Sequence, residues 1–132
     1  MPDTSFDKWI AACDFTFWSH GQHKVMAEQF LKAWAQGDAL LLDVRTDEEI
    51  QYLTLPKALH IPFHDLPSRW QEIPRDRLVA TFCSGGERAA VAYAYLHARG
   101  LENVRILVGG YSHLSDELLP GKLKNLLPAS VS

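Results

Sequence analysis

Short apolar runs alternate along the chain with longer segments in which apolar residues recur at helical spacing. Three runs, at residues 39–44, 78–82 and 104–108, have the length and composition of strands buried on both faces. Between the last two lies an alanine-rich segment, residues 87–99, which predicts a helix buried on more than one side. Buried strands separated by helices indicate βαβ units. The pattern therefore predicts an α/β fold, a single domain with a central parallel β-sheet flanked by helices on both faces.

Two further segments complete the predicted core. Residues 23–36 carry apolar side chains at helical spacing and are followed by Gly37, which predicts one amphipathic helix with a glycine after its end. Residues 55–74 contain four prolines and predict a loop with short helical turns. Within that loop, residues 58–61 are predicted to form a short strand.

The chain divides into three predicted regions. Residues 1–22 lack a clear period and form an N-terminal aromatic arm packed on the core, residues 23–120 form the domain, and residues 121–132 form a C-terminal tail. The aromatic residues of the arm are Trp9, Phe15, Phe17 and Trp18. They are interpreted as a lid on the chain's own core, with a surface for a partner or a second subunit as the alternative.

Composition and charge limit the classes of partner. The chain has 132 residues, 47% of them hydrophobic, and a formal net charge of -3, which argues against nucleic acid as a ligand. No apolar run approaches the roughly 20 residues that span a bilayer, and the first residues do not resemble a signal peptide. We expect a soluble, cytoplasmic protein without a membrane partner, in which Cys13 and Cys83 are both reduced.

Cys83 is the strongest candidate for chemistry, because it directly follows the predicted strand at residues 78–82, where ligands of parallel sheets bind. The residues that lead from it into the next helix are Ser84, Gly85, Gly86, Glu87 and Arg88. Two glycines allow the backbone N–H groups to turn inward as a nest for an anion, and Arg88 adds a positive charge. These features favour a nucleophilic thiolate over the alternative of a buried, inert thiol.

Four segments resemble the rhodanese-like domain family, the family of single-domain sulfurtransferases. They are the loop Cys-Ser-Gly-Gly-Glu-Arg-Ala at 83–89, Asp-Val-Arg at 43–45 followed by Glu49, the paired prolines within 55–62, and Val-Gly-Gly at 108–110. The resemblance implies a rhodanese-type enzyme that needs no cofactor. It implies Cys83 as the catalytic residue, Ser84, Gly85, Gly86, Glu87 and Arg88 as substrate-binding residues, and Asp43 and Arg45 as supporting residues.

The resemblance also implies a reaction. The Cys83 thiolate takes a sulfane sulfur from a donor such as thiosulfate or a persulfide, holds it as a persulfide in the amide nest, and passes it to a thiol or cyanide acceptor. Phosphatases and arsenate reductases of the same fold have one more residue between cysteine and arginine, so the four residues between Cys83 and Arg88 favour sulfur chemistry. A sulfur-relay or protein-binding module that docks on a partner protein remains the alternative.

The loop departs from the family pattern at two positions. Ser84 stands where the family often has arginine or lysine, and Glu87 brings a negative charge towards the site. Both changes weaken attraction for an anionic donor. The sequence therefore predicts that thiosulfate is a poor donor and that a persulfide on a partner protein or a small thiol takes its place.

The other polar candidates are assigned lesser roles. Asp43 either orients the active-site loop or satisfies neighbouring backbone N–H groups. Arg45 and Glu49 are at the i,i+4 spacing of a helical ion pair. Cys13, His20 and His23 offer three metal ligands, but their spacing does not match a metal motif, so no metal site is predicted.

Overall fold

The computed structural model describes residues 5–55 and 57–117. Within them the chain forms the strands β1 (Lys24–Met26), β2 (Ala39–Asp43), β3 (Leu59–His60), β4 (Leu78–Phe82) and β5 (Val104–Val108). It also forms the α-helices α1 (Ser5–Ala12), α2 (Phe15–Ser19), α3 (Ala27–Ala35), α4 (Asp47–Ile50), α5 (Leu66–Arg69), α6 (Glu87–Ala98) and α7 (Gly110–Glu117). Short 3-10 helices at Phe63–Asp65 and Trp70–Glu72 flank α5.

The strands form one sheet in the order β1-β5-β4-β2-β3, and every pairing is parallel. The pair β2 and β4 is central and runs in register from Ala39 beside Leu78 to Asp43 beside Phe82. Since all strands point the same way, their carboxyl ends lie along one edge of the sheet. The active-site candidates that follow β2 and β4 are therefore neighbours in space.

Apolar side chains cover both faces of the sheet, which confirms the predicted fold class. One buried cluster joins alternate residues of the central strands to α6, and it contains Leu42, Val79, Cys83, Ala92, Tyr93 and Leu96. The other cluster joins the remaining strand residues to α3 and α7, and it contains Leu41, Ala80, Phe82, Phe30, Leu31 and Leu114. Adjacent residues of β2 and of β4 thus face opposite layers, as the pleat of a strand requires.

The predicted helix at residues 23–36 is wrong at its amino end. Lys24–Met26 instead forms the edge strand β1, in which buried Val25 lies between two exposed residues, and the helix begins at Ala27. The strand exists because it pairs with β5, and the backbone N–H of Ile106 donates to the His23 carbonyl at 2.8 Å. A strand this short shows no period of its own in the sequence, so tertiary pairing decides its structure.

The proline-rich loop contains short elements, as predicted, although the strand at 58–61 is reduced to Leu59–His60 beside β2. Helix α7 was not predicted and begins at Gly110, where the backbone has a φ of +55°. The predicted tail at 121–132 lies outside the described residues. Throughout the described ranges, each helix is too short or too polar to cross a lipid bilayer.

Candidate active site

Cys83 lies at the carboxyl edge of the sheet, between β4 and α6, with a relative exposure of 1%. The loop that follows it is open, because Ser84, Gly85 and Glu87 are exposed and Gly86 is half-buried. The Thr81 hydroxyl donates to the Ala89 carbonyl at 2.9 Å and so connects the strand to the first turn of the helix inside the core. The thiol is held between a strand and a helix of the core, and the loop beside it is exposed to solvent.

Two backbone N–H groups point at the Cys83 sulfur. The N–H of Gly86 donates to Sγ at 2.9 Å, and that of Ala89 donates at 3.3 Å. Gly86 has a φ of +96°, which turns its N–H inward and is a conformation that favours glycine. The N–H groups belong to the amino end of α6, where the helix dipole also favours a negative charge. This arrangement suits a thiolate, which accepts hydrogen bonds and donates none.

Arg88 does not stand free beside the loop. Its Nη1 and Nη2 donate to the two carboxylate oxygens of Glu49 on α4, at 2.6 and 2.8 Å, and Nη2 also donates to the Ser84 hydroxyl at 3.0 Å. The hydrogen bonds from Arg88 hold the pKa of Glu49 well below its usual range, and the same pair raises the pKa of Arg88. The positive charge expected to meet an anionic donor is therefore paired with a carboxylate of the protein.

Glu87 adds a second carboxylate at the rim of the loop. A Cβ atom built on Gly85 would lie 2.7 Å from Oε2 of Glu87, so the carboxylate folds back over Gly85. A side chain at position 85 would displace the flexible end of the exposed Glu87 side chain. With glycine at position 85, the Glu87 carboxylate lies beside the backbone of the loop.

Asp43 and Arg45 form a separate, buried ion pair. The Arg45 backbone N–H and Nε donate to Oδ1 of Asp43 at 3.0 Å each, and Nη2 donates to Oδ2 at 2.7 Å. Arg45 also donates to the Leu53 carbonyl at 2.8 Å, and its guanidinium lies 5.1 Å from the centre of the Phe82 ring. The ion pair that the spacing of Arg45 and Glu49 would allow does not form, because Asp43 pairs with Arg45 and Arg88 pairs with Glu49.

The aromatic residues of the N-terminal arm take different positions. Trp9 and Phe17 pack against the α6 core cluster, and the indole N–H of Trp9 donates to Nδ1 of His97 at 2.6 Å. Phe15 is 85% exposed, and Trp18 is 44% exposed. One half of this aromatic set covers the core and the other half faces solvent.

The second cysteine and a histidine near the sheet edge complete the set of reactive side chains considered. Cys13 and Cys83 are both free thiols. His60 contacts the Arg45 carbonyl at 2.7 Å, at the edge of the sheet that carries the loop. Within residues 5–55 and 57–117, groups of His, Cys, Asp or Glu that would hold a metal ion do not occur.

Sequence reasoning missed two contributors to the site. The N–H of Ala89 reaches the sulfur from six residues away, and Glu49 binds Arg88 across 39 positions of sequence. The position of Ala89 follows from the first turn of α6 curling over the cysteine, which helix periodicity implies once the start of the helix is known. The pairing of Glu49 depends on α4 and α6 meeting at the sheet edge, which the sequence does not reveal.

Fold and site together define a class of protein: a parallel α/β domain with a buried cysteine at the start of the loop between a central strand and the helix after it. The chain belongs to the rhodanese-like domain family, whose model matches residues 26–117.

Three comparisons illustrate the range of its relatives. A sulfurtransferase from Allochromatium vinosum is 45% identical over 73 residues, which cover 55% of this chain and 68% of the relative. The structure of the human single-domain sulfurtransferase TSTD1 has a TM-score of 0.64 and 28% identity, covering 72% of this chain and 96% of that one. A tRNA uridine(34) hydroxylase from Xanthomonas campestris is 34% identical over 103 residues, and the match covers 68% of this chain but only 41% of the hydroxylase.

Proposed function

We propose that this protein is a rhodanese-type sulfurtransferase in which Cys83 carries the transferred sulfur. The observation that carries the proposal is the pair of N–H groups, from Gly86 and Ala89, that converge on the Cys83 sulfur at the amino end of α6. Because Cys83 is buried, water does not compete for these hydrogen bonds, and the two N–H groups stabilise an anionic sulfur. The relatives named sulfurtransferase support the same chemistry.

In the proposed reaction the Cys83 thiolate attacks the outer sulfur of the donor. A bond forms between the two sulfurs, the bond between the outer sulfur and the donor breaks, and the donor leaves with the electron pair. The Cys83 persulfide then lies in the loop from Ser84 to Arg88, where backbone N–H groups offer hydrogen bonds to its outer sulfur. A thiolate or cyanide attacks that sulfur and releases the Cys83 thiolate. The cycle needs no cofactor and no external oxidant or reductant.

A relay module with negligible turnover on small molecules is the second candidate. Two observations favour it. Arg88 is already paired with Glu49, and this chain matches only 41% of the length of the tRNA uridine(34) hydroxylase. In this case the sulfur passes between Cys83 and a partner protein in a reducing compartment such as the cytoplasm. A cysteine phosphatase is disfavoured because four residues between Cys83 and Arg88 leave a smaller loop than phosphate needs.

The direct test is sulfur transfer to cyanide or to a dithiol by the wild type and by Cys83→Ser. We expect Cys83→Ser to lose turnover while its circular dichroism spectrum stays unchanged, because oxygen cannot replace the sulfur nucleophile in a persulfide. Cys13→Ser is the matched control and is expected to retain turnover. Turnover that survives in Cys83→Ser contradicts the proposal, and a wild type that forms the persulfide but does not turn over favours the relay module.

A further inference from the structure

An apolar cavity lies between α1, α6 and the proline-rich segment. Its volume is about 240 Å³, and its lining includes Phe6 of α1, Phe63 and Leu66 of the proline-rich segment, and Val91 and Tyr95 of α6. Almost all of its surface is carbon. A cavity of about 150 Å³ already accommodates benzene, so this one has room for a phenyl-sized group.

Two residues that line the cavity belong to segments that begin near the active-site loop. Val91 lies four residues after Glu87 in α6, and residues at this spacing have Cβ atoms about 5–6 Å apart on one helix face. On the other wall, the backbone N–H of Phe63 donates to the Val44 carbonyl at 3.0 Å, directly after the end of β2. Part of the cavity wall therefore lies near the carboxyl edge of the sheet, the edge that carries Cys83.

Charge at the loop disfavours a strongly anionic donor. The guanidinium of Arg88 is bound by Glu49, and Glu87 places a further carboxylate over Gly85. A Cys83 thiolate adds one more negative charge to the two carboxylates. A dianion such as thiosulfate meets net repulsion there, whereas a donor with a single charge or none meets less.

We propose that this cavity binds the organic group of the sulfur donor, and that the site prefers donors of low charge with a small apolar group over inorganic thiosulfate. The inference rests on the proposed sulfurtransferase function. It accounts together for two features: the pairing of Arg88 with Glu49 and the apolar cavity nearby. The exposed Val91, at 53%, and Phe6, at 44%, are surface that such a group would cover.

Three probes separate charge from apolar contact: thiosulfate, methanethiosulfonate and benzenethiosulfonate. Each gives its outer sulfur to the Cys83 thiolate, and sulfite or the corresponding sulfinate leaves with the electron pair. The first probe is a dianion and the other two are monoanions that differ in the organic group. The rate of persulfide formation on Cys83 is followed by intact mass, with benzenethiosulfonate expected to be fastest and thiosulfate slowest.

The donors differ in intrinsic reactivity, so the ratio of two donor rates is compared between each variant and the wild type. The intrinsic reactivity cancels in this comparison. Val91→Asp is expected to lower the ratio of the benzene to the methane donor by about tenfold, since it places a charge in the cavity wall, and Val91→Thr is the control of matched shape. Phe6→Ser is expected to lower the same ratio from the opposite wall. Glu87→Gln is expected to raise the thiosulfate to methanethiosulfonate ratio about threefold to tenfold.

The outcomes distinguish this inference from the proposed function. If Cys83 gains sulfur from all three donors but Val91→Asp and Phe6→Ser leave the ratio unchanged, the cavity is not the site of the organic group. Wild-type preference for thiosulfate also overturns the inference. If no donor adds sulfur to Cys83, the proposed function fails. Binding of benzenesulfinate, followed by NMR in wild type and Val91→Asp, still tests the cavity then, and equal binding by both proteins overturns its role.

Discussion

The backbone conformation of Gly86 decides whether its N–H group reaches the Cys83 sulfur. Its φ of +96° turns the N–H towards the Cys83 sulfur, and a Cβ atom built at this position would meet nothing within 4 Å. A side chain at Gly86 is therefore excluded by backbone strain rather than by crowding. Strain of this kind at a functional loop costs about 1–2 kcal/mol for a residue other than glycine.

Gly86→Ala is expected to lower the free energy of unfolding by about 1–2 kcal/mol and to slow sulfur transfer by about tenfold to a hundredfold. Gly37→Ala is the matched control, because Gly37 has a φ of +80°, equally open surroundings and a position after α3, far from the loop in sequence. Urea unfolding and turnover assays measure the two effects. Equal losses of turnover in both variants would show that the N–H direction at Gly86 has no chemical role.

The pair of Glu49 and Arg88 also acts at the residue scale, and its effect depends on pH. Both side chains are about one third exposed, at 32% and 31%, so the bidentate pair is worth about 1 kcal/mol rather than several. Because Arg88 lowers the pKa of Glu49 in the folded protein, the stabilisation is complete above the ordinary value of 4.5. It is lost as the pH falls below that value and the folded carboxylate takes up a proton.

Glu49→Gln is therefore expected to lower the free energy of unfolding by about 1 kcal/mol at pH 7, with the difference from wild type shrinking below pH 4.5. Urea unfolding across this range measures it. Glu48→Gln serves as the control, since Glu48 is an exposed acid on the same helix. If the free energy of unfolding of Glu49→Gln differed from that of wild type by the same amount at every pH, the stabilisation by the Arg88 hydrogen bonds would not depend on the charge of Glu49.

At the scale of elements, α1 is attached to α6 by aromatic contacts and one hydrogen bond. The indole of Trp9 donates to Nδ1 of His97, and its ring packs edge-on against Tyr93 and Phe17. Burial lowers the pKa of His97, with Arg105 lowering it further, so the folded protein favours the neutral imidazole that accepts this bond. The attachment is therefore strongest above the ordinary histidine value of 6.5 and weakens as the pH falls below it.

Trp9→Phe keeps the ring contacts and removes the N–H donor. We expect lower protection factors against amide exchange in α1 at pH 7.5, after correction for the intrinsic exchange rate, and a smaller further fall in protection on acidification than in wild type, because the bond that acid breaks is already missing. His23 lies in the same cluster, and burial lowers its pKa too, so His23→Gln is the control that retains the Trp9 bond. Wild type and Trp9→Phe responding alike to acid would exclude His97 as the sensitive group.

At the scale of the whole molecule, the sequence predicts the parts that depend on local pattern. The buried strands at β2, β4 and β5, the helix α6 and the loop after Cys83 each carry their own signal in composition, periodicity or glycine placement. That these strands run parallel follows from connecting them through helices. These features are determined within segments of ten to twenty residues, so the sequence reveals them.

Other features arise only from contacts between distant segments. Lys24–Met26 becomes a strand because the edge of β5 is available to pair with it. Glu49 lies four residues from Arg45 but pairs with Arg88, 39 positions along the chain, whereas Arg45 pairs with buried Asp43 only two residues away. A choice between a near partner and a distant one depends on burial and geometry, which the chain acquires on folding.

The central claim is that Cys83 accepts a sulfur atom. Intact-mass analysis of the wild type and Cys83→Ala, after incubation with thiosulfate, with a small-molecule persulfide or with buffer, tests it most directly. We predict that the wild type alone gains the mass of one sulfur atom, that the added mass is lost on treatment with a dithiol, and that the persulfide loads it faster than thiosulfate does. Equal gain in Cys83→Ala, or no gain in the wild type with either donor, would contradict the claim.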